Sequence, residues 1–245
     1  MGHIKRYAEM DLDGAMLVEG MPGVGLVGKI ATDHLVDEFD MELYGTVHCE
    51  SLAPIGVYHD GEREVLPPVR LYAAPDEGLV ALQSDVPVNA SAVGEFADCL
   101  VGWLQEENVF PLFLSGIPAE KSDVPGLFGV ATGDGASMLD DADIGLPDET
   151  GVVSGPTGAF LNQSAEVGID SVGLVVDSDE RFPDPEAARV LIEQGISKLA
   201  GVDVDVSELV EHAEELRKQK EQLAERMRQA NDEESSQAQP LRMYQ

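Results

Sequence analysis

Basic residues are scarce: 15 Lys plus Arg stand against 47 Asp plus Glu in 245 residues, a formal net charge of -32. Such a chain repels phosphate backbones and anionic lipid surfaces, which argues against nucleic acid and membrane as partners. The acids run along the whole length, and an acidic surface with little lysine reads as adaptation to high salt. Cysteine is scarcer still. The two that occur, Cys49 and Cys99, lie far apart without C-x-x-C spacing, so neither a zinc site nor a disulfide framework is expected and both read as small buried hydrophobes. The histidines at 3, 34, 48, 59 and 212 show no H-x-x-x-H or H-E-x-x-H spacing. His48-Cys49-Glu50 has the H-x-E look of a zinc deaminase, but the P-C-x-x-C that would complete the metal site does not follow. No stretch approaches the roughly 20 apolar residues of a membrane span, and Met1-Gly-His-Ile-Lys-Arg6 holds no apolar signal core. The expectation is a cytoplasmic protein without a metal site.

What the chain does contain is an alternation of strand and helix signals. Ala15-Met-Leu-Val-Glu19 reads as a buried strand, then a glycine turn, then a helix from Ile30 to Phe39. Leu43 to Cys49 and Ile55 to Tyr58 read as strands, with Asp60-Gly61 closing a hairpin into Glu64 to Leu66. Val69 to Ala73 and Leu79 to Ser84 continue in extended structure. A helix from Ser91 to Glu106 carries Val93, Phe96, Ala97, Leu100, Val101 and Leu104 on one face. Phe110 to Leu114 is the continuous apolar run of an inner strand. Val152-Val153, the Gly155-Pro-Thr-Gly158 turn with its helix to Val167, and Ser171 to Val176 repeat the alternation, and Pro183-Asp-Pro185 opens a helix from Glu186 to Leu199. The fold class is α/β, a sandwich with a mixed, largely parallel sheet. The domain is expected to span 1–202, followed by a C-terminal helix over 203–230 and a tail over 231–245.

Gly23-Val-Gly25-Leu-Val-Gly28 fits G-x-G-x-x-G between a strand and a helix, the context in which glycines bring a pyrophosphate onto backbone N–H groups. The same residues nearly fit a P-loop, Gly23-x-x-x-x-Gly28-Lys29, but Ile30 replaces the hydroxyl residue that would hold magnesium. A dinucleotide site also wants a later acid, for which Asp40 or Glu42 could serve. The other reading is a tight turn in which glycines allow close packing. Ser115 and Ser154 follow strands, yet neither satisfies G-x-S-x-G. Carboxylate pairs carry no information in a chain this acidic. No catalytic residue is named, no cofactor is expected, and the chain is read as a non-enzyme.

From Val206 onward, Leu209, Ala213, Leu216, Lys220, Leu223, Met227 and Ala230 recur at alternating steps of four and three, a short heptad seam. It suits either a helix lying on its own domain or an intersubunit coil. The stretch after Asn231 is too polar to fold alone. It ends in Met243-Tyr244-Gln245, an apolar residue, a penultimate tyrosine and a C-terminal carboxylate. A basic socket can capture the carboxylate while the ring and thioether supply apolar contact.

Taken in order and spacing, Gly20-Met-Pro-Gly-Val-Gly-Leu-Val-Gly28, Gly155-Pro-Thr-Gly158 and Pro183-Asp-Pro-Glu-Ala-Ala188 resemble the archaeal branch of the proteasome assembly chaperone family over residues 10–215. The resemblance implies a nucleoside-phosphorylase-like α/β fold, a three-layer sandwich without established catalytic residues, and homo-oligomers. It also implies that members with a hydrophobic-Tyr-X ending bind the proteasome core particle, their tails entering pockets between α-subunits where the carboxylate meets a lysine. Met243, Tyr244 and Gln245 match that ending residue by residue. The expected function is therefore that of an ATP-independent assembly chaperone or activator of the proteasome. The alternative is an enzyme or sensor that binds a nucleotide or nucleoside at Gly23, Gly25 and Gly28.

Overall fold

The computed structural model describes residues 2–50, 52–58, 61, 63–119 and 124–211. One mixed sheet of eight strands organises them: β1 (His3–Arg6), β2 (Met16–Gly20), β3 (Glu42–His48), β4 (Val69–Ala74), β5 (Leu79–Ser84), β6 (Phe110–Pro118), β7 (Leu127–Thr132) and β8 (Ser171–Ser178), in the order β1-β3-β4-β5-β2-β6-β8-β7. The centre is parallel: β2 pairs Met16 with Leu79 of β5 and with Phe110 of β6, and β6 pairs Leu112 with Val172 of β8. The flanks are antiparallel, with β1 on β3, β3 on β4, β4 on β5 and β7 on β8. Thus β2, β3, β5, β6 and β8 run one way, against β1, β4 and β7.

Helices cover both faces. On one lie α1 (Val27–Glu38), α3 (Gly135–Asp141) and a continuous helical segment made of α5 (Pro185–Val190), a π-helical turn (Leu191–Ile196) and α6 (Ser197–Ala200); on the other lie α2 (Val93–Glu107) and α4 (Gly155–Val167). Each face has its own core. Val18, Ala31, Leu35, Leu112, Leu174 and Ile192 fill the first, and Leu17, Leu71, Leu82, Phe96, Phe113 and Phe160 the second. Adjacent residues of β2, Leu17 and Val18, thus serve opposite faces, which is why this strand reads as an unbroken apolar run. In the second core the Phe160 ring stands edge-on to Phe96 at 5.1 Å and stacks on Phe113 at 5.4 Å.

Local chemistry sets the helix ends. Asn108 closes α2 in the left-handed region (φ 53°), its amide donating to Leu104 O, and Gly168 does the same for α4 (φ 74°). Asp184 caps α5 by accepting from the Ala187 amide, with Pro185 in the first turn. Several elements differ from expectation. Among the described residues, the hairpin read at 55–66 keeps one antiparallel bridge, Val57 to Leu66, and outside it Pro54, Pro67 and Pro68 have no amides to extend the pairing. Val152 is 88% exposed in a segment without strand structure, so the Val152-Val153 pair starts no strand. The strand on the outer side of β8, opposite β6, is β7, for which no strand was expected. Past the expected domain limit at 202, Val204, Val206 and Leu209 remain buried in the first core. Leu209 is the one heptad-seam residue among those described.

Candidate functional site

The carboxyl ends of β2, β6 and β8 meet the first turns of α1, α4 and α5, and the glycine motif and the Gly155-Pro-Thr-Gly158 turn both lie there. At their centre Glu19 is fully buried near the end of β2. Its Oε1 accepts the Met21 amide at 3.0 Å, and its Oε2 accepts the Leu114 amide at 3.2 Å and the Thr157 hydroxyl at 3.0 Å. Burial pushes the carboxyl up to about 7, against the pull of these three hydrogen bonds. Thr157 Oγ1 also lies 3.1 Å from Leu114 O. A hydroxyl has one proton, so it serves one acceptor at a time. With Glu19 ionised, Thr157 donates to the carboxylate; with Glu19 protonated, the carboxyl O–H donates to Thr157, which donates on to Leu114 O. The group ties β2, β6 and α4 together and is sealed from solvent. Sequence reasoning passed over Glu19, although an acid inside an apolar strand run was the signal available.

The glycine turn packs against its own protein. Gly25 has φ 60°, and a Cβ there would stand 1.9 Å from Ser178 Oγ and 3.2 Å from Asp184 Cβ. At Gly28 a Cβ would meet Glu19 O and Leu114 Cβ at 3.4 Å, which fixes how closely α1 approaches β2 and β6. The Asp184 amide donates to Gly25 O at 2.8 Å and the Leu26 amide to Gly23 O at 3.1 Å. Gly23 is the open member of the three, its nearest neighbour being Met21 O at 4.0 Å. Leu26, 36% exposed, takes the left-handed conformation (φ 53°) to start α1.

Lys29, which a phosphate-binding turn would aim at its ligand, sits between carboxylates: Nζ is 2.8 Å from Asp33 Oδ2 and 3.7 Å from Asp85 Oδ1. Asp33 also accepts from Gln83 Nε2 at 2.8 Å, and burial raises its carboxyl while Lys29 lowers it. Arg70, 2% exposed, donates to Asp85 at 2.5 Å, to Tyr72 OH at 3.0 Å and to Pro67 O at 3.1 Å. Burial works against the Arg70 charge, but Asp85 and Tyr72 outweigh it and hold the guanidinium above its ordinary value. Two cations and two carboxylates therefore balance between α1 and the ends of β4 and β5, where a phosphate would need a cationic surplus.

The remaining candidates make none of these contacts. Ser115 is on β6, and Ser154 precedes α4 without capping it. His34 Nε2 lies 2.7 Å from Asp205 O. Among the described residues no cluster of three or more His, Cys, Asp or Glu could hold a metal ion. A cavity of about 700 Å³ opens at the far side of the sheet, lined among others by His3, His48, Cys49, Leu52, Ile55 and Leu66. The His3 and His48 rings stack on each other in its wall at 5.2 Å. Burial lowers the His48 imidazole, and His3 adds to the effect. Met243, Tyr244 and Gln245, together with the seam beyond Leu209, lie outside the described residues.

The chain belongs to the PAC2 family, which its residues 17–224 match. It is 28% identical over 221 residues to an uncharacterised protein of Methanocaldococcus jannaschii, covering 89% of each chain. Among solved structures it is similar to Pyrococcus furiosus PbaA, an archaeal homolog of proteasome-assembly chaperone, with a TM-score of 0.81 and 26% identity over 96% of this chain and 97% of that one. Pyrococcus furiosus PbaB, an archaeal proteasome activator, shares the fold at a TM-score of 0.78 and 21% identity, covering 91% of this chain and 98% of that one.

Proposed function

We propose that this PAC2 protein is a non-enzymatic, ATP-independent proteasome-binding protein, an assembly chaperone or activator that docks Met243-Tyr244-Gln245 into pockets of the core-particle α-ring. The observation that carries the reading is the conjunction of this family fold with a hydrophobic-Tyr-X terminus. The glycine turn supports it from the other side. Gly25 and Gly28 are packed by protein atoms and Lys29 is paired with carboxylates, which weighs against a nucleotide site there. The protein acts in the cytoplasm as a homo-oligomer, and its subunits bring several tails to one ring.

In this mechanism the domain is the carrier and the tail the plug. A linker of about 12 residues before Met243 reaches at most ~40 Å when extended and on the order of 20 Å as a coil. Each tail binds weakly, but linkage within one oligomer makes later contacts intramolecular, and avidity holds the complex. At molar salt the Debye length is only ~3 Å, so attraction between the terminal carboxylate and a pocket lysine fades beyond contact. The Tyr244 ring and the Met243 side chain then supply much of the affinity. Deleting Met243–Gln245 tests the reading. The truncated chain is expected to lose co-purification with the core particle while its thermal melt stays unchanged; retained co-purification would remove the tail from the mechanism.

A further inference from the structure

The fold brings together two thiols that the sequence holds far apart. Cys49 directly follows β3, and Cys99 lies in α2, which packs against β1. The β1–β3 register sets His3 opposite His48, so Gly2 comes level with Cys49. A Cβ on Gly2 would stand 2.9 Å from Cys49 Sγ, 3.1 Å from Cys99 Sγ and 2.8 Å from Cys99 Cβ. The two sulfurs therefore crowd the same point, and each thiol perturbs the other. Both are free and half-buried, so that a small reagent can reach either, and Cys49 also lines the cavity of about 700 Å³.

We propose that Cys49 and Cys99 are a dithiol redox site that exchanges with low-molecular-weight disulfides, closing to an intramolecular bond that staples the end of β3 to α2. The steps balance. The Cys99 thiolate attacks one sulfur of a small disulfide RSSR, forming a mixed disulfide and releasing RS⁻. Cys49 then gives up its proton and attacks the Cys99 sulfur, expelling the second RS⁻. The protein loses two hydrogens and two RSH leave. The order follows from the closeness of the thiols, whose mutual interaction lowers the Cys99 thiol and raises that of Cys49. Only a residue without a side chain fits over the pair, and Gly2 provides it. The closed bond would span a loop containing β4 and β5, the kind of long cross-link that constrains the unfolded chain most.

The test uses the reduced full-length chain and 2-hydroxyethyl disulfide, a neutral probe that the net charge of -32 does not repel. Intact mass after acid quench is expected to fall by two hydrogens with no adduct. Both thiols should vanish from titration under denaturing conditions, and the melting temperature should rise by roughly 5–15 °C. Dithiothreitol should reverse all three. In Cys49→Ser and in Cys99→Ser the remaining cysteine should instead keep one hydroxyethylthio adduct. A wild-type chain that retains two thiols, carries stable adducts or cross-links to a second chain would overturn the proposal.

Discussion

The glycine turn at 20–28 and the segment at 50–68 contrast in a way their sequences invert. The turn carries the spacing of a ligand cradle, yet Ser178, Asp184, Leu114 and the Glu19 carbonyl occupy the space its missing side chains leave. The 50–68 segment carries no ligand-binding motif, yet it walls the cavity beside Cys49. A glycine reports that something comes close to the backbone; it does not say whether the visitor is a phosphate or the protein itself. Here the close approach binds α1 to the central strands and to the β8–α5 connection, so the motif serves the fold.

Substitutions can break this contrast. Gly25→Ala combines a φ of 60° with a contact of 1.9 Å to Ser178 Oγ, and is expected to cost about 3–4 kcal/mol in denaturant unfolding. Glu19 sharpens the picture of a sealed junction. Its folded value of about 7 lies above its ordinary 4.5, so the folded state holds a proton that the unfolded chain has lost. Stability therefore falls as pH rises from 4.5 through 7 and levels off beyond. Measured against Glu19→Gln, which cannot titrate, the wild type should lose roughly 3 kcal/mol across that window; a flat difference would mean that Glu19 is solvated. In the open segment Gly61→Ala meets a φ of 79° but nothing within 4 Å, and should cost only about 1 kcal/mol. A loss equal to that at Gly25 would erase the distinction between the two loops. Smallest of all is the response to a nucleotide panel. A ligand at 100 times its dissociation constant adds about 2.7 kcal/mol, and no thermal shift is expected because the Lys29 charge is committed to Asp33 and Asp85.

The elements legible in the sequence are those whose burial writes a period into it. Strand β2, buried on both faces, shows as an apolar run, and α2 shows its stripe of Phe96, Leu100 and Leu104. Strand β1 is short, polar and mostly exposed, so its sequence carries no alternation. Strand β7 is obscured by Gly129, whose missing side chain admits Leu139 from α3, a need that only the packing reveals. The π-helical turn at Leu191–Ile196 left no periodic trace, and Gly195 there lies against Leu174. At the candidate site the positions of the glycines and of Thr157 were readable as motifs. Their shared partner Glu19, and the meeting of Cys49 with Cys99, depend on strand order and on the path of α2, which no spacing rule encodes.

The central claim rests on the chain terminus, and the most direct measurement is the affinity of immobilised proteasome core particle for the full-length chain and for Tyr244→Ala, both at molar salt. The account predicts that losing the ring weakens binding at least tenfold while the melting curve of the protein stays the same. Equal affinity for the two proteins would contradict it and move the interface onto the folded domain.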